Sequence, residues 1–141
     1  MLTRDIEGLE LMPMWMDGDS NARARFDFPL HAGHGTESTS VVYFEVEPGE
    51  YLARHTDSAE EILLVLAGEG VATVGDEEAE VGPGTLAVVP ALEPHSVRAT
   101  GTGTLKVVGF FSAATLQHEF DDPVQPVGLS HLVTPAAEVV V

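Results

Sequence analysis

Apolar and alternating segments recur roughly every eight to twelve residues along the middle of this chain, with turns rich in glycine and proline between them. Residues 40–47, SVVYFEVE, alternate and end in the turn PGE; YLARH (51–55) follows. Residues 61–68, EILLVLAG, are apolar almost throughout, the pattern of a strand covered on both faces. GVATV (70–74), EAEV (78–81), TLAVVP (85–90), HSVRAT (95–100) and TLKVVGFF (104–111) come next, broken by turns such as GDE and GPG. Nothing from 40 to 111 carries a helical period. Short strands at this spacing predict an all-β fold, a sandwich or a barrel.

The ends read differently. Residues 1–39 form an N-terminal extension expected to pack on the barrel or to swap onto a second copy. Its segment LMPMWM (11–16) holds three of the four methionines and the only tryptophan. Core packing or a dimer contact is the expected use, and a flexible apolar lid is the sharper alternative. Residues 112–141 form a C-terminal extension with three prolines and the apolar end EVVV; one helical turn is expected near SAATLQHEF.

Composition narrows this picture. The chain has 141 residues, the length of one domain, and 44% of them are hydrophobic, enough for a packed core. It has no cysteine, which excludes disulfides and thiolate metal sites. The formal net charge of −17 disfavours nucleic acid and anionic membrane surfaces as partners. The N-terminus has acids where a signal peptide needs an apolar core, so a soluble, cytoplasmic protein is expected. There is no phosphate loop, dinucleotide fingerprint or nucleophile elbow. GDEEAE reads as a solvated hairpin turn.

The candidate chemistry lies in HTDSAEEILLVLAG (55–68) and around His95. On an extended strand residues two apart share a face, so Tyr51, Ala53, His55 and Asp57 would line one wall, with His95 on another strand. Imidazole and carboxylate donors suit iron, manganese, nickel or zinc, and two histidines with one carboxylate suit non-haem iron. A lone strand histidine is more often a core residue held by hydrogen bonds. Glu60 and Glu61 are adjacent, so only one can face inward, and the apolar run after them does not decide which. His31 and His34, in HAGHG, have the spacing of a local metal pair but sit in a glycine-rich segment and are expected to stay outside the site. His118 and His131 follow the last clear strand and are expected at the surface.

Two longer patterns sharpen this. Gly49, five residues, His55-Thr56-Asp57, three residues, Glu61, six residues, Gly68 is one. Gly84, five residues, Pro90-Ala91-Leu92, two residues, His95, three residues, Ala99 is the other. In spacing they resemble the two motifs of the cupin superfamily, in its small single-domain form. The resemblance implies a jelly-roll β-barrel (a double-stranded β-helix) with its core at 40–111. It also implies one divalent transition metal ion (Fe, Mn, Zn or Ni) held by His55, Glu61 and His95, with Glu60 left toward solvent or the rim. A small-molecule substrate inside the barrel and a homodimer are implied as well. The implied reaction is dioxygenase-type oxygen chemistry on a chelating phenol, enol or keto acid. Metal-dependent isomerisation, cyclisation or lyase chemistry and non-catalytic ligand binding are the alternatives. Tyr51 would be a substrate contact, and Asp57 or Glu61 would act as base.

The sequence departs from the motifs at three places. Leu92 stands for a turn glycine and Ala99 for an asparagine, both expected to cost little. Asp57 stands for the second histidine. It would bind the ion directly, hold a metal-bound water or ligand from outside the donor set, or mark a degenerate site.

Overall fold

A computed structural model describes residues 1–136, so the apolar end EVVV lies outside the described residues. Twelve strands account for nearly all the regular structure. The N-terminal extension supplies β1 (Met12–Met16) and β2 (Asp19–Leu30). The central region supplies β3 (Ser40–Val46), β4 (Tyr51–Asp57), β5 (Glu61–Ala67) and β6 (Gly70–Val74). It continues with β7 (Glu77–Val81), β8 (Leu86–Val89), β9 (His95–Ala99) and β10 (Leu105–Phe111). The C-terminal extension supplies β11 (Leu116–Gln125) and β12 (Leu129–Thr134).

The strands pair in the order β7-β6-β9-β4-β11-β1-β2-β3-β10-β5-β8, with β12 beside β11. The long sheet folds over on itself into a barrel. One wall is built from β6, β9, β4 and β11, the other from β2, β3, β10, β5 and β8, and β1 joins them through β11 and β2. The alternation seen in the sequence becomes an inner and an outer face. Val46, Leu105 and Val107 are buried from the inner face of β3 and β10, and Val89 from β8. Each fully buried side chain of this kind contributes about 1.5–3 kcal/mol. EAEV, with GDEE before it, becomes an exposed acidic edge strand, a pattern that resists edge-to-edge pairing.

Three expectations change here. The segment expected to carry a helical turn is the start of β11: Leu116 and His118 point inward while Gln117 and Glu119 point out, a period of two that pairs with β4 and β12. β5 is covered on one face only. Leu63 and Val65 are buried, whereas Ile62 and Leu66 are each 42% exposed and continue an outward apolar surface with Leu86, Val88 and Phe110 of the flanking strands. An unbroken apolar run thus hid an ordinary two-faced strand.

The third concerns Leu92. Its backbone has φ of +64°, the left-handed region that motif glycines adopt without strain. The turn matters because Leu92 N–H donates to the Asp57 carbonyl, tying the β8–β9 connection to β4. The leucine side chain is 68% exposed and gains little from packing. The replacement, expected to cost little, therefore carries a penalty of about 1–2 kcal/mol, part of which glycine's greater unfolded freedom would offset. Leu92→Gly should raise stability by about 0.5–1 kcal/mol, seen as a higher midpoint in thermal unfolding followed by circular dichroism. A lower midpoint would show that the strain is absent.

Candidate metal centre

β4 does not run straight. Leu52 pairs with Val97 of β9, yet His55 pairs with His95, so three steps on β4 oppose two on β9. This bulge shifts the side-chain alternation by one residue. Leu52, His55 and Asp57 all line the interior. Tyr51 is thrown to the outside, where its hydroxyl donates to the Asp19 carboxylate. The expectation that Tyr51 shares the wall with His55 and Asp57 is corrected by that bulge, and Tyr51 does not line the cavity.

Inside, two histidines are set in the same way. His55 Nδ1 lies 2.8 Å from the Ala53 carbonyl and His95 Nδ1 lies 2.9 Å from the Glu93 carbonyl. A carbonyl only accepts, so each Nδ1 carries the proton, and in the neutral ring Nε2 presents a bare lone pair. Both Nε2 atoms face Asp57 Oδ2, at 3.5 Å from His55 and 3.1 Å from His95. Oδ2 is itself a buried acceptor with no hydrogen-bond donor. Three lone pairs therefore converge with nothing between them, an arrangement that calls for a cation or a proton. Donor atoms about 2.0–2.2 Å from a shared ion lie roughly 3.0–3.5 Å apart, which is the spacing found. His55, Asp57 and His95 thus form a group able to hold a metal ion.

Asp57 is anchored from behind. His118 Nδ1 donates to Asp57 Oδ1 across 2.6 Å, and His118 Nε2 meets the Thr134 hydroxyl of β12 at 2.8 Å. His118 is 6% exposed and packs against Phe28, so the expectation of a surface histidine is overturned. The signal was in the sequence: Leu116, His118 and Phe120 keep a period of two, which puts His118 on the inner face. Burial works against ionising Asp57, but the hydrogen bond from His118 to its Oδ1 holds its carboxyl well below the usual carboxylate range.

Glu61 stands at the edge of this group, 3% exposed, with Oε1 3.6 Å from His95 Nε2; Glu60 points outward. Burial, and then the charge of Asp57, push the Glu61 carboxyl up to about 8. Its head lies over Gly109 of β10, where an added methyl would overlap Glu61 Oε2 and crowd Val42. Glycine at 109 leaves room for the Glu61 head, which a larger residue would push aside, with no demand on φ.

Above the group lies a cavity of about 100 Å³. Phe120 stacks on the His55 ring, with centroids 4.7 Å apart and planes 16° from parallel. Met12, Pro13 and Met14 of LMPMWM form part of the cavity wall, so this segment is neither pure core nor a detached lid. His31 and His34 are elsewhere: His31 Nδ1 caps Gly33 N–H in a 3₁₀ turn, and the His34 ring lies against it. His131 is exposed beside Glu119.

Comparison with known proteins agrees with the fold. The model of the cupin domain matches residues 42–111. A cupin 2 conserved barrel domain protein from Rhodopseudomonas palustris superposes with a TM-score of 0.65 at 21% identity, covering 76% of this chain and 73% of that one. The polyketide cyclase RemF from Streptomyces resistomycificus gives 0.64 at 22% identity, covering 92% and 88%. A variant of salicylate 1,2-dioxygenase from Pseudoaminobacter salicylatoxidans, in complex with gentisate, gives 0.56 at 16% identity, covering 63% of this chain and 25% of that one. None of the curated proteins matches the chain. The family-model match and the two motifs place the chain in the cupin superfamily, and the likenesses to solved structures show the same fold.

Two measurements follow from this geometry. His118→Ala leaves Asp57 Oδ1 buried without a donor and should cost about 1–3 kcal/mol in denaturant unfolding of the metal-free protein; an unchanged midpoint would mean that the anchor carries nothing. Glu61 binds its proton more tightly in the folded than in the unfolded state, so its contribution is favourable at low pH and is lost as pH rises from about 4.5 towards 8. Glu61→Gln should remove that loss. In metal-free protein its melting temperature should gain on the parent's between pH 5 and pH 8.5, and a constant gap would contradict the burial argument.

Proposed function

We propose that this chain is a metal-dependent enzyme that acts on a small organic molecule inside the barrel by dioxygenase-type oxygen chemistry. One observation carries the reading: two imidazole nitrogens and a carboxylate oxygen, none with a proton to offer, turn towards one point on the floor of an apolar cavity. His55, Asp57 and His95 would hold one divalent transition metal ion, and Glu61 is close enough to His95 to join them. Of the three uses open to Asp57, direct binding fits its Oδ2, which reaches the same point as the two imidazoles. Two histidines and one carboxylate with open positions are the donor set of non-haem iron oxygenases, so iron is the ion this reading selects. Bound there, the ion supplies Lewis acidity and one-electron chemistry.

The chain's own residues do the rest. The carbonyls of Ala53 and Glu93 fix both imidazoles in the ligating tautomer, and His118 fixes the Asp57 carboxylate. Leu63, Val97, Phe111 and Phe120 surround the group with apolar surface, which limits the access of water. A non-redox isomerisation, cyclisation or lyase reaction is favoured by a different feature. The buried Glu61 carboxyl, at the edge of the group and 3.6 Å from His95, is placed to exchange a proton with a bound molecule. Fold likeness is neutral between the two, since the neighbours include both a dioxygenase and a polyketide cyclase.

Elemental analysis of purified protein tests the shared part. About one ion per chain is expected in the parent, falling below a tenth of that in His55→Ala and His95→Ala, with Tyr51→Phe unchanged. The iron(II)-loaded protein should then consume oxygen with a panel of phenols and enols, and lose this with His55→Ala. Turnover by zinc-loaded protein without oxygen uptake would select the non-redox reaction. A parent that neither carries nor takes up metal would sink both and leave a ligand-binding module.

A further inference from the structure

The cavity names a class of ligand. Five of the six phenylalanines, Phe26, Phe28, Phe44, Phe111 and Phe120 among them, line it; Phe110 alone is turned outward. Flat aromatic walls favour flat rings, which stack or meet edge to face on them. Beyond the groups on the floor, Gln125 is the one polar side chain in the lining among the described residues, and one of its amide N–H groups is already bonded to Asp17 at the rim. Polar atoms of a ligand therefore find most of their partners at one end, against the floor.

All six cationic side chains of the protein lie elsewhere. Arg25 is paired with Glu45 and Glu47 on the outer face, and Arg4 donates to the Pro29 carbonyl. Arg23 covers the Trp15 ring, and Arg54 lies by Asp121. Arg98 and Lys106 are exposed on β9 and β10. Away from the floor, where a bound ion would sit, a charged group of a ligand meets no protein cation, inside a chain of net charge −17. A buried charge without a partner is disfavoured strongly. At about 100 Å³ the cavity takes several waters or, in their place, the rings of a small molecule.

We infer that the ligand is an aromatic molecule of one or two rings, carrying adjacent oxygens at one edge, as a hydroxyketone or enol does, and that a negative charge on the rings away from that edge is selected against. The oxygens face the floor and the rings fill the phenylalanine-lined space. The inference rests on the metal-centre reading for the oxygen-bearing end, and on the lining alone for the rings and the exclusion of charge from them.

A matched pair of probes tests it: 1-hydroxy-2-acetonaphthone, which is neutral, and its 6-carboxylate, the same chelating edge with a charge at the far end of the rings. Each is titrated by calorimetry into zinc(II)-loaded protein, its metal content measured on the same sample, and into metal-free protein. The neutral probe should bind about tenfold or more tightly than the carboxylate in both forms, and more tightly with zinc than without. Met12→Arg, at the exposed rim of the cavity, should narrow the ratio about threefold or more by supplying the missing cation. A carboxylate that binds the parent as tightly as the neutral probe, or a failure of both probes to bind, overturns the inference. A sample that takes up no zinc but keeps the preference for the neutral probe removes the metal reading and leaves the charge selection standing.

Discussion

A carboxylate 3% exposed cannot stand alone in a barrel interior, and the site is organised around that constraint. Asp57 meets it with one oxygen on the His118 N–H and the other facing two imidazole lone pairs. The first contact is satisfied by protein alone. The second is complete only when something positive sits among the three atoms. The same residue thus links the rigid framework of β4, β11 and β12 to an open donor set.

The fold delivers this by two local features of its strands. The bulge between Leu52 and His55 puts Leu52, His55 and Asp57 on one wall, which strict alternation could not do. Gly109 leaves the facing wall bare where the Glu61 head lies. The first is a departure from ideal sheet geometry of the kind that concentrates next to chemistry in β structure, and the second is a missing side chain on a regularly paired strand. The tight turn at Leu92, strained by a side chain where the motif has glycine, holds β9 to the Asp57 backbone. The site therefore depends on backbone geometry in three separate loops and strands as much as on its donor side chains.

Much of this was legible in the sequence. The eight central strands follow from alternation and turn residues because both are local signals. Glu61, rather than Glu60, follows from motif spacing. What escaped was non-local or came from register. Tyr51 was placed on the wrong face because a bulge leaves no mark in the side-chain pattern. His118 was read as a surface residue, although it alternates with Leu116 and Phe120, because its partner Asp57 is 61 residues away. β5 looked covered on both faces because an apolar residue on an outer face reads the same as one in the core. The role of Asp57 was left open among three uses, and only the convergence of two rings on its Oδ2 separates them.

The bare Nε2 atoms of His55 and His95, turned into the cavity, are what fit this group to hold a metal ion, unlike a pair of core histidines. Nitrogen-15 NMR of the metal-free protein at neutral pH measures this directly, because the shifts of the two ring nitrogens report which one carries the proton. The account predicts the Nδ1-protonated form for both rings and, on addition of zinc(II), a shift of both Nε2 signals with Nδ1 still protonated. Nε2-protonated rings that are indifferent to zinc would contradict it.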